Sequence, residues 1–185
     1  MRRIRYGVAM SLDGYIAGPK GEYDWIVHDP DIDFGAMFAR FDTFLMGRRT
    51  FELTLTPGAP KHPGMTTVVF SRTLRQKDHP DVTIVADDWK GTITALKERP
   101  GKDIWLFGGG SLFRTLLDAG FVDGVDVAIM PVLVGGGVPF LESPAKLARL
   151  KLLRHRLYEK SGIISAEYAV VYAPALFTTS VQENR

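Results

Sequence analysis

The chain has 185 residues, 45% of them apolar, enough for one domain with a substantial core. Its 23 basic and 21 acidic residues leave a net charge of +2, which points to neither a nucleic acid nor a membrane surface as partner. Cysteine is absent, so disulfides, thiolate metal sites and a cysteine nucleophile are excluded. No apolar run reaches spanning length, and a soluble, cytoplasmic protein is expected.

Residues 3–10 alternate as a first strand, followed by a glycine-rich loop over 11–21 and a short turn or helix near 23–27. Phe34, Met37, Phe38 and Phe41 fall at helical spacing, predicting a helix over 33–40. Strands at 43–46, 67–70, 82–85 and 104–107 alternate with helices near 48–55, 89–98 and 111–119. That alternation argues for a mainly parallel sheet with helices on both faces. A strand over 125–133 contains Pro131, which suggests an edge position or a bulge. Residues 150–159 and 163–172 alternate around Lys160-Ser-Gly162, the pattern of a terminal antiparallel hairpin. The expected fold is α/β with a mixed, mainly parallel sheet; residues 1–173 form one domain and 174–185 a tail.

Three predicted strand ends carry chemistry. The strand at 104–107 runs straight into Gly108, Gly109, Gly110 and Ser111, which open an amphipathic helix. Glycines there let a ligand approach the backbone, and the free N–H groups of the first helical turn suit a phosphate. The alternative is a plain strand-to-helix turn. Gly47, Arg48, Arg49 and Thr50 stand at a second strand end. Arginines are poorly placed at a helix N-terminus unless an anion sits there, and they fork onto phosphate oxygens; the alternative is a solvated basic turn. Ser71 and Arg72 close a third strand. Open α/β sheets bind ligands at the carboxyl ends of their strands, so the three ends together suggest one elongated, phosphorylated ligand.

In order and spacing, Ser11-Leu-Asp-Gly14, Asp42-Thr-Phe-Leu-Met-Gly-Arg48 with Thr50 and Phe51, Val69-Phe-Ser-Arg72, Phe107-Gly-Gly-Gly-Ser111 and Pro131-Val-Leu-Val-Gly135 resemble a known pattern. It is that of the dihydrofolate-reductase fold, and more closely that of the C-terminal reductase domain of the riboflavin-biosynthesis deaminase-reductase and its stand-alone relatives. The resemblance implies a three-layer fold of that kind and NADPH as hydride donor. It assigns Gly47, Arg48, Arg49 and Thr50 to the pyrophosphate and 2′-phosphate side, and Ser71 and Arg72 to the adenosine 2′-phosphate. Gly108, Gly109, Gly110 and Ser111 would take the pyrophosphate with Leu112 and Phe113 close behind, across a cis Gly108–Gly109 peptide. No acidic ribose-binding residue follows the glycine turn, which agrees with NADP(H) over NAD(H).

The reaction centre is less defined. Asp13, Asp24, Asp31 and Asp33 lie where the substrate side should be. Asp31 stands 16 residues before Gly47, a spacing similar to that of the substrate carboxylate of dihydrofolate reductases. Asp33 also reads as a helix N-cap and Asp13 as a turn former. Trp25 reads either as a pocket floor or as core; Trp89 and Trp105 read as packing. The catalytic candidates are therefore Asp31, Trp25 and Asp13. His28, His62, His79 and His155 show no ligand spacing, so no metal is expected.

Tyr15 replaces the Lys or Arg usual after Asp-Gly in riboflavin-pathway reductases. Met130-Pro131 and Asp24-Trp25 depart from the folate reductases. The expected substrate is a small heterocycle, imine or carbonyl compound, pterin-like or ribosylaminopyrimidine-like. An NADP-binding sensor or assembly module without turnover is the alternative. The resemblance also implies a homodimer through the C-terminal hairpin and the apolar segment 173–177.

Overall fold

Alternating apolar side chains give the central sheet two buried faces, each with its own pair of helices. The computed structural model describes residues 1–59 and 61–172; the tail and segment 173–177 lie outside them. In chain order the elements are β1 (Ile4–Ser11), β2 (Tyr15–Ala17), α1 (Phe34–Phe38), β3 (Phe41–Gly47), α2 (Arg48–Thr54), β4 (Thr66–Phe70), β5 (Thr83–Val85) and α3 (Trp89–Glu98). They continue with β6 (Asp103–Gly108), α4 (Gly110–Asp118), β7 (Gly124–Met130), β8 (Val138–Pro139), β9 (Arg149–Tyr158) and β10 (Ile163–Val171).

Eight strands form one sheet in the order β5-β4-β3-β6-β1-β7-β10-β9. From β5 to β7 all neighbours are parallel, whereas β10 runs antiparallel to β7 and to β9. This is the mixed, mainly parallel sheet with a C-terminal hairpin that the sequence predicts. β9 bulges at Leu153, where the register shifts between Glu167 and Tyr168.

On one face Ile4, Tyr6, Leu45, Ile104, Leu106 and Val125 pack against Ile93 and Leu96 of α3 and Phe113, Leu116 and Leu117 of α4. Tyr6 stacks on Phe113 with ring centroids 3.9 Å apart. On the other, Phe44, Met46, Val69 and Trp105 meet Phe51 of α2 and Met37 and Phe38 from α1. Each fully buried side chain of this kind contributes about 2 kcal/mol. Asp33 caps α1 by accepting from the Ala36 N–H at 2.8 Å.

Two details differ from the sequence reading. β7 is interior, flanked by β1 and β10, and ends at Met130. Pro131 therefore marks neither an edge nor a bulge in it; it stops the strand, because its nitrogen has no hydrogen to donate. Asp24 and Trp25 form a turn, one of the two forms that the sequence leaves open for 23–27. The loop after β1 contains β2, which pairs with β8 in a small second sheet. Segments of two or three residues carry too little periodicity to be seen.

Where no helix covers the α1–α2 face, charge replaces apolar packing. Arg5, 4% exposed, pairs with Asp126 and reaches Glu167 at 3.4 Å, while Arg40 meets Glu167 at 3.2 Å. With the exposed Arg154 at 3.5 Å from Glu167, three cations face two carboxylates, and neither partly buried carboxylate is left unpaired.

Candidate functional site

The parallel strands β4, β3, β6, β1 and β7 end along one edge, and their register sets the chemistry there. Gly47 at the end of β3 pairs with Phe70 of β4, and Met46 pairs with Gly108 of β6. Ser71, Gly47 and Gly108 therefore stand side by side. Gly47 is the N-cap of α2 and Gly109 that of α4, and neither helix start has a side-chain cap. Glycine caps leave first-turn N–H groups free for an incoming acceptor.

The two turns meet at Thr50. A methyl group added at Gly108 or Gly109 would lie 3.4 or 3.5 Å from the Thr50 hydroxyl oxygen, and one at Gly47 would lie 4.0 Å from the Gly108 carbonyl. Gly108 has φ +147°, which L side chains rarely adopt, and its peptide to Gly109 is cis, as the resemblance implies. Gly110 is different: a methyl there would meet the Pro139 carbonyl at 2.7 Å. Its missing side chain admits the β8 segment, leaving only backbone for a ligand.

The cations follow. Arg48 and Glu52 form an exposed i,i+4 ion pair at 2.9 Å. Arg49 and Arg72 are exposed and have no ion pair among the described residues. Ser71 is buried, and its oxygen accepts from the N–H groups of Thr73 (3.2 Å) and Leu74 (3.0 Å), closing its own loop. Ser111 is exposed on the first turn of α4, whereas Leu112 packs against the α3–α4 core rather than toward the groove.

The structure does not join the three catalytic candidates. Asp13 accepts from the Ser11 hydroxyl (2.6 Å) and from the N–H groups of Val134 (3.1 Å) and Gly135 (2.7 Å). Those bonds, the Ser11 hydroxyl first, hold its carboxyl at about 2, so it has no proton to donate at neutral pH. It clamps the turn after β1 to the loop after β7. Asp31 is exposed and pairs with Lys160 in the β9–β10 turn at 3.0 Å. Trp25 donates its indole N–H to the Glu22 carbonyl at 3.2 Å and belongs to neither core cluster.

Sequence reasoning passed over Asp29, which is 2% exposed and accepts from the N–H groups of Asp31 (2.9 Å) and Ser161 (3.1 Å). Its bonds to Ser161 and Asp31 hold its carboxyl below the usual range. The signal was the Asp-Pro-Asp sequence, typical of a side chain that bonds backbone two residues on. Asp29 and Asp31 together fasten the loop before α1 to the β9–β10 turn, at the same edge as the glycine turns.

Between that loop and Phe107, the α1–α2 face of the central strands is floored by small residues. Gly7 and Ala9 of β1 and Ala128 of β7 remain half-exposed although both strands are paired on each side. Trp105 bounds this floor, its indole donating to the Gly7 carbonyl at 2.8 Å. Two hollows, of about 370 and 400 Å³, lie at the opposite edge, beside Thr66 and Thr83 and beside Arg3 and Asp123. That is the end of a parallel sheet that ligands avoid. Among the described residues no cluster of three or more His, Cys, Asp or Glu could hold a metal ion, and no helix is long and apolar enough to cross a membrane.

A mainly parallel sheet with helices on both faces, an antiparallel terminal hairpin and glycine turns at the carboxyl edge defines a reductase-like domain of the dihydrofolate-reductase fold. The chain matches the family model described as the RibD C-terminal domain over residues 2–163 and belongs to that family. It is 35% identical to the uncharacterized protein YyaP of Bacillus subtilis, over 90% of this chain and 94% of that one. A putative riboflavin biosynthesis protein from Shewanella sp. PV-4 superposes with a TM-score of 0.78 at 24% identity, covering 92% of this chain and 99% of the other. Dihydrofolate reductase from Enterococcus faecalis, solved with NADP(H), gives 0.63 at 19% identity, covering 91% and 94%. At such identities these two structures establish the fold.

The Asp13 clamp has a consequence for acid stability. Its folded pKa, about 2, lies below the ordinary 3.8, so its stabilisation is complete above 3.8 and lost as pH falls toward 2. Asp13→Asn is expected to lower the urea midpoint at pH 7 and to flatten the acid limb between those values. An unchanged midpoint and slope in urea titrations would remove the clamp.

Proposed function

We propose that this chain is an NADPH-dependent oxidoreductase that reduces a small heterocyclic, imine or carbonyl compound, pterin-like or ribosylaminopyrimidine-like. The observation that carries this reading is the meeting of two uncapped glycine turns at Thr50, flanked by arginines. NADPH, when bound, supplies the hydride. The free N–H groups after Gly47 and Gly109, with the Thr50 and Ser111 hydroxyls, hold the pyrophosphate. Arg48, Arg49 and Arg72 hold the 2′-phosphate; Arg48 leaves Glu52 to do so, which costs little because an exposed i,i+4 pair is worth only about 0.5 kcal/mol. Ser71 acts indirectly, by shaping the loop that carries Arg72.

The turns after β3 and β6 would hold the pyrophosphate and the β4 end the adenosine side, which would leave β1 for the hydride-supplying end. There the Gly7–Ala9–Ala128 floor leaves room for a flat substrate. Solvent water delivers the proton in this reading, with Asp31, once released from Lys160, as the carboxylate proposed to orient it. The engagement of Asp13 and Asp31 in other bonds favours a second reading, an NADP-binding module without turnover. NADPH consumption across a panel of pterins, pyrimidines and imines separates the two.

Arg48→Ala combined with Arg72→Ala is expected to weaken NADPH binding about a hundredfold while sparing NADH, since each charge-assisted hydrogen bond contributes about 1.5–3 kcal/mol. Fluorescence titrations with both cofactors check this; equal losses contradict the 2′-phosphate assignment.

A homodimer belongs to the same proposal. Met10, Ile129, Ile164 and Leu157 lie in register across β1, β7, β10 and β9, on the face that carries α3 and α4. Ile164 is 44% and Leu157 56% exposed, and Leu150 and Leu152 extend the row along β9. Such an uncovered apolar strip suits a second copy of itself. Sedimentation equilibrium is expected to give twice the 20.5 kDa chain mass, and Leu157→Lys with Ile164→Lys to give the monomer. A monomeric wild type contradicts the pairing.

A further inference from the structure

His62 stands out among the titratable groups that the site described above leaves unused. It lies in the loop between α2 and β4, yet its ring is held among aromatic side chains from three elements. Centroid distances are 4.6 Å to Phe38 at the end of α1, 5.2 Å to Phe44 of β3 and 6.3 Å to Phe107 of β6. Phe107 directly precedes Gly108, so this cluster adjoins the glycine turn and forms the wall beside the Gly7–Ala9 floor.

Packing alone does not account for a histidine here. Phenylalanine or leucine would fill the space without a polar atom, whereas neither ring nitrogen of His62 has a hydrogen-bond partner among the described residues. Among the described residues no fully buried side-chain nitrogen or oxygen lacks a partner, so the unpartnered imidazole nitrogens are open to solvent. Burial lowers the pKa of His62 from the ordinary 6.5. The cause is desolvation among the surrounding rings. The ring is thus neutral at pH 7 and carries one donor and one acceptor nitrogen.

We infer that His62 is a specificity-determining residue that hydrogen-bonds the polar edge of a flat heterocyclic substrate laid against Phe38 and Phe107. An aromatic wall accepts the π face of such a ring. A neutral imidazole bonds to the N–H or the carbonyl of a ring amide, the edge that pterins and pyrimidines share. An aliphatic imine or carbonyl compound offers no such ring, so His62 narrows the substrate class of the proposed reductase. The assignment rests on the reductase reading.

The test uses imidazole NMR signals of the full-length protein saturated with NADPH, titrated separately with pterin and with uracil. The His62 nitrogen resonances are expected to shift saturably with at least one probe. His62→Phe, which keeps a ring in the cluster, is expected to weaken that probe's binding about tenfold, the worth of one good hydrogen bond. His62→Gln, which retains a donor and an acceptor, is expected to recover part of it. Unmoved His62 signals with both probes, or equal probe affinity in His62→Phe, overturn the inference while the reductase reading stands. Failure of NADPH itself to bind overturns both.

Discussion

The parallel pairing of β3 with β6 places Gly47 beside Gly108, and everything at the carboxyl edge depends on that register. Each strand ends in a glycine and turns at once into a helix without a side-chain cap, so two sets of unengaged N–H groups open onto one strip of surface. Thr50 closes the contact between them at 3.4 Å from the methyl position of Gly108. A register slip of one residue would turn these positions to the opposite face and separate the two turns. The cores on either side of the sheet hold that register, because Phe44 and Met46 face α1 and α2 while Leu45 faces α3 and α4.

Around this fixed edge the polar side chains divide into those that build the loops and those that face outward. Asp13, Asp29 and Ser71 accept hydrogen bonds from nearby backbone and thereby set loop shape. Arg49, Arg72 and Ser111 are exposed at the groove. A site organised in this way is preformed: the loops are fastened by internal bonds, and the groups facing outward need little rearrangement to meet a phosphate.

Much of this was legible in the sequence because the signals were long or chemically unusual. The 89–98 helix is recovered residue for residue, and the strand–Gly–helix junctions at Gly47 and Gly108 follow from an apolar run ending abruptly in glycine. The partners of the polar residues were not legible. Nothing local tells that Asp13 bonds Val134 and Gly135, or that Asp31 finds Lys160 across 129 positions. The surroundings of His62 were equally hidden, since its aromatic neighbours come from three elements distant in sequence. Pro131 shows the converse error: its missing N–H suggests an edge or a bulge, although a central strand can simply stop before it.

In the proposed function one dinucleotide spans the three adjacent strand ends. Backbone amide NMR during NADPH titration tests it most directly. Concerted, saturable shifts at Gly47, Arg48, Thr50, Arg72 and Gly108 through Ser111 are expected. Absence of shifts, or shifts confined to the hollows at the opposite edge beside Thr66 and Arg3, would contradict it.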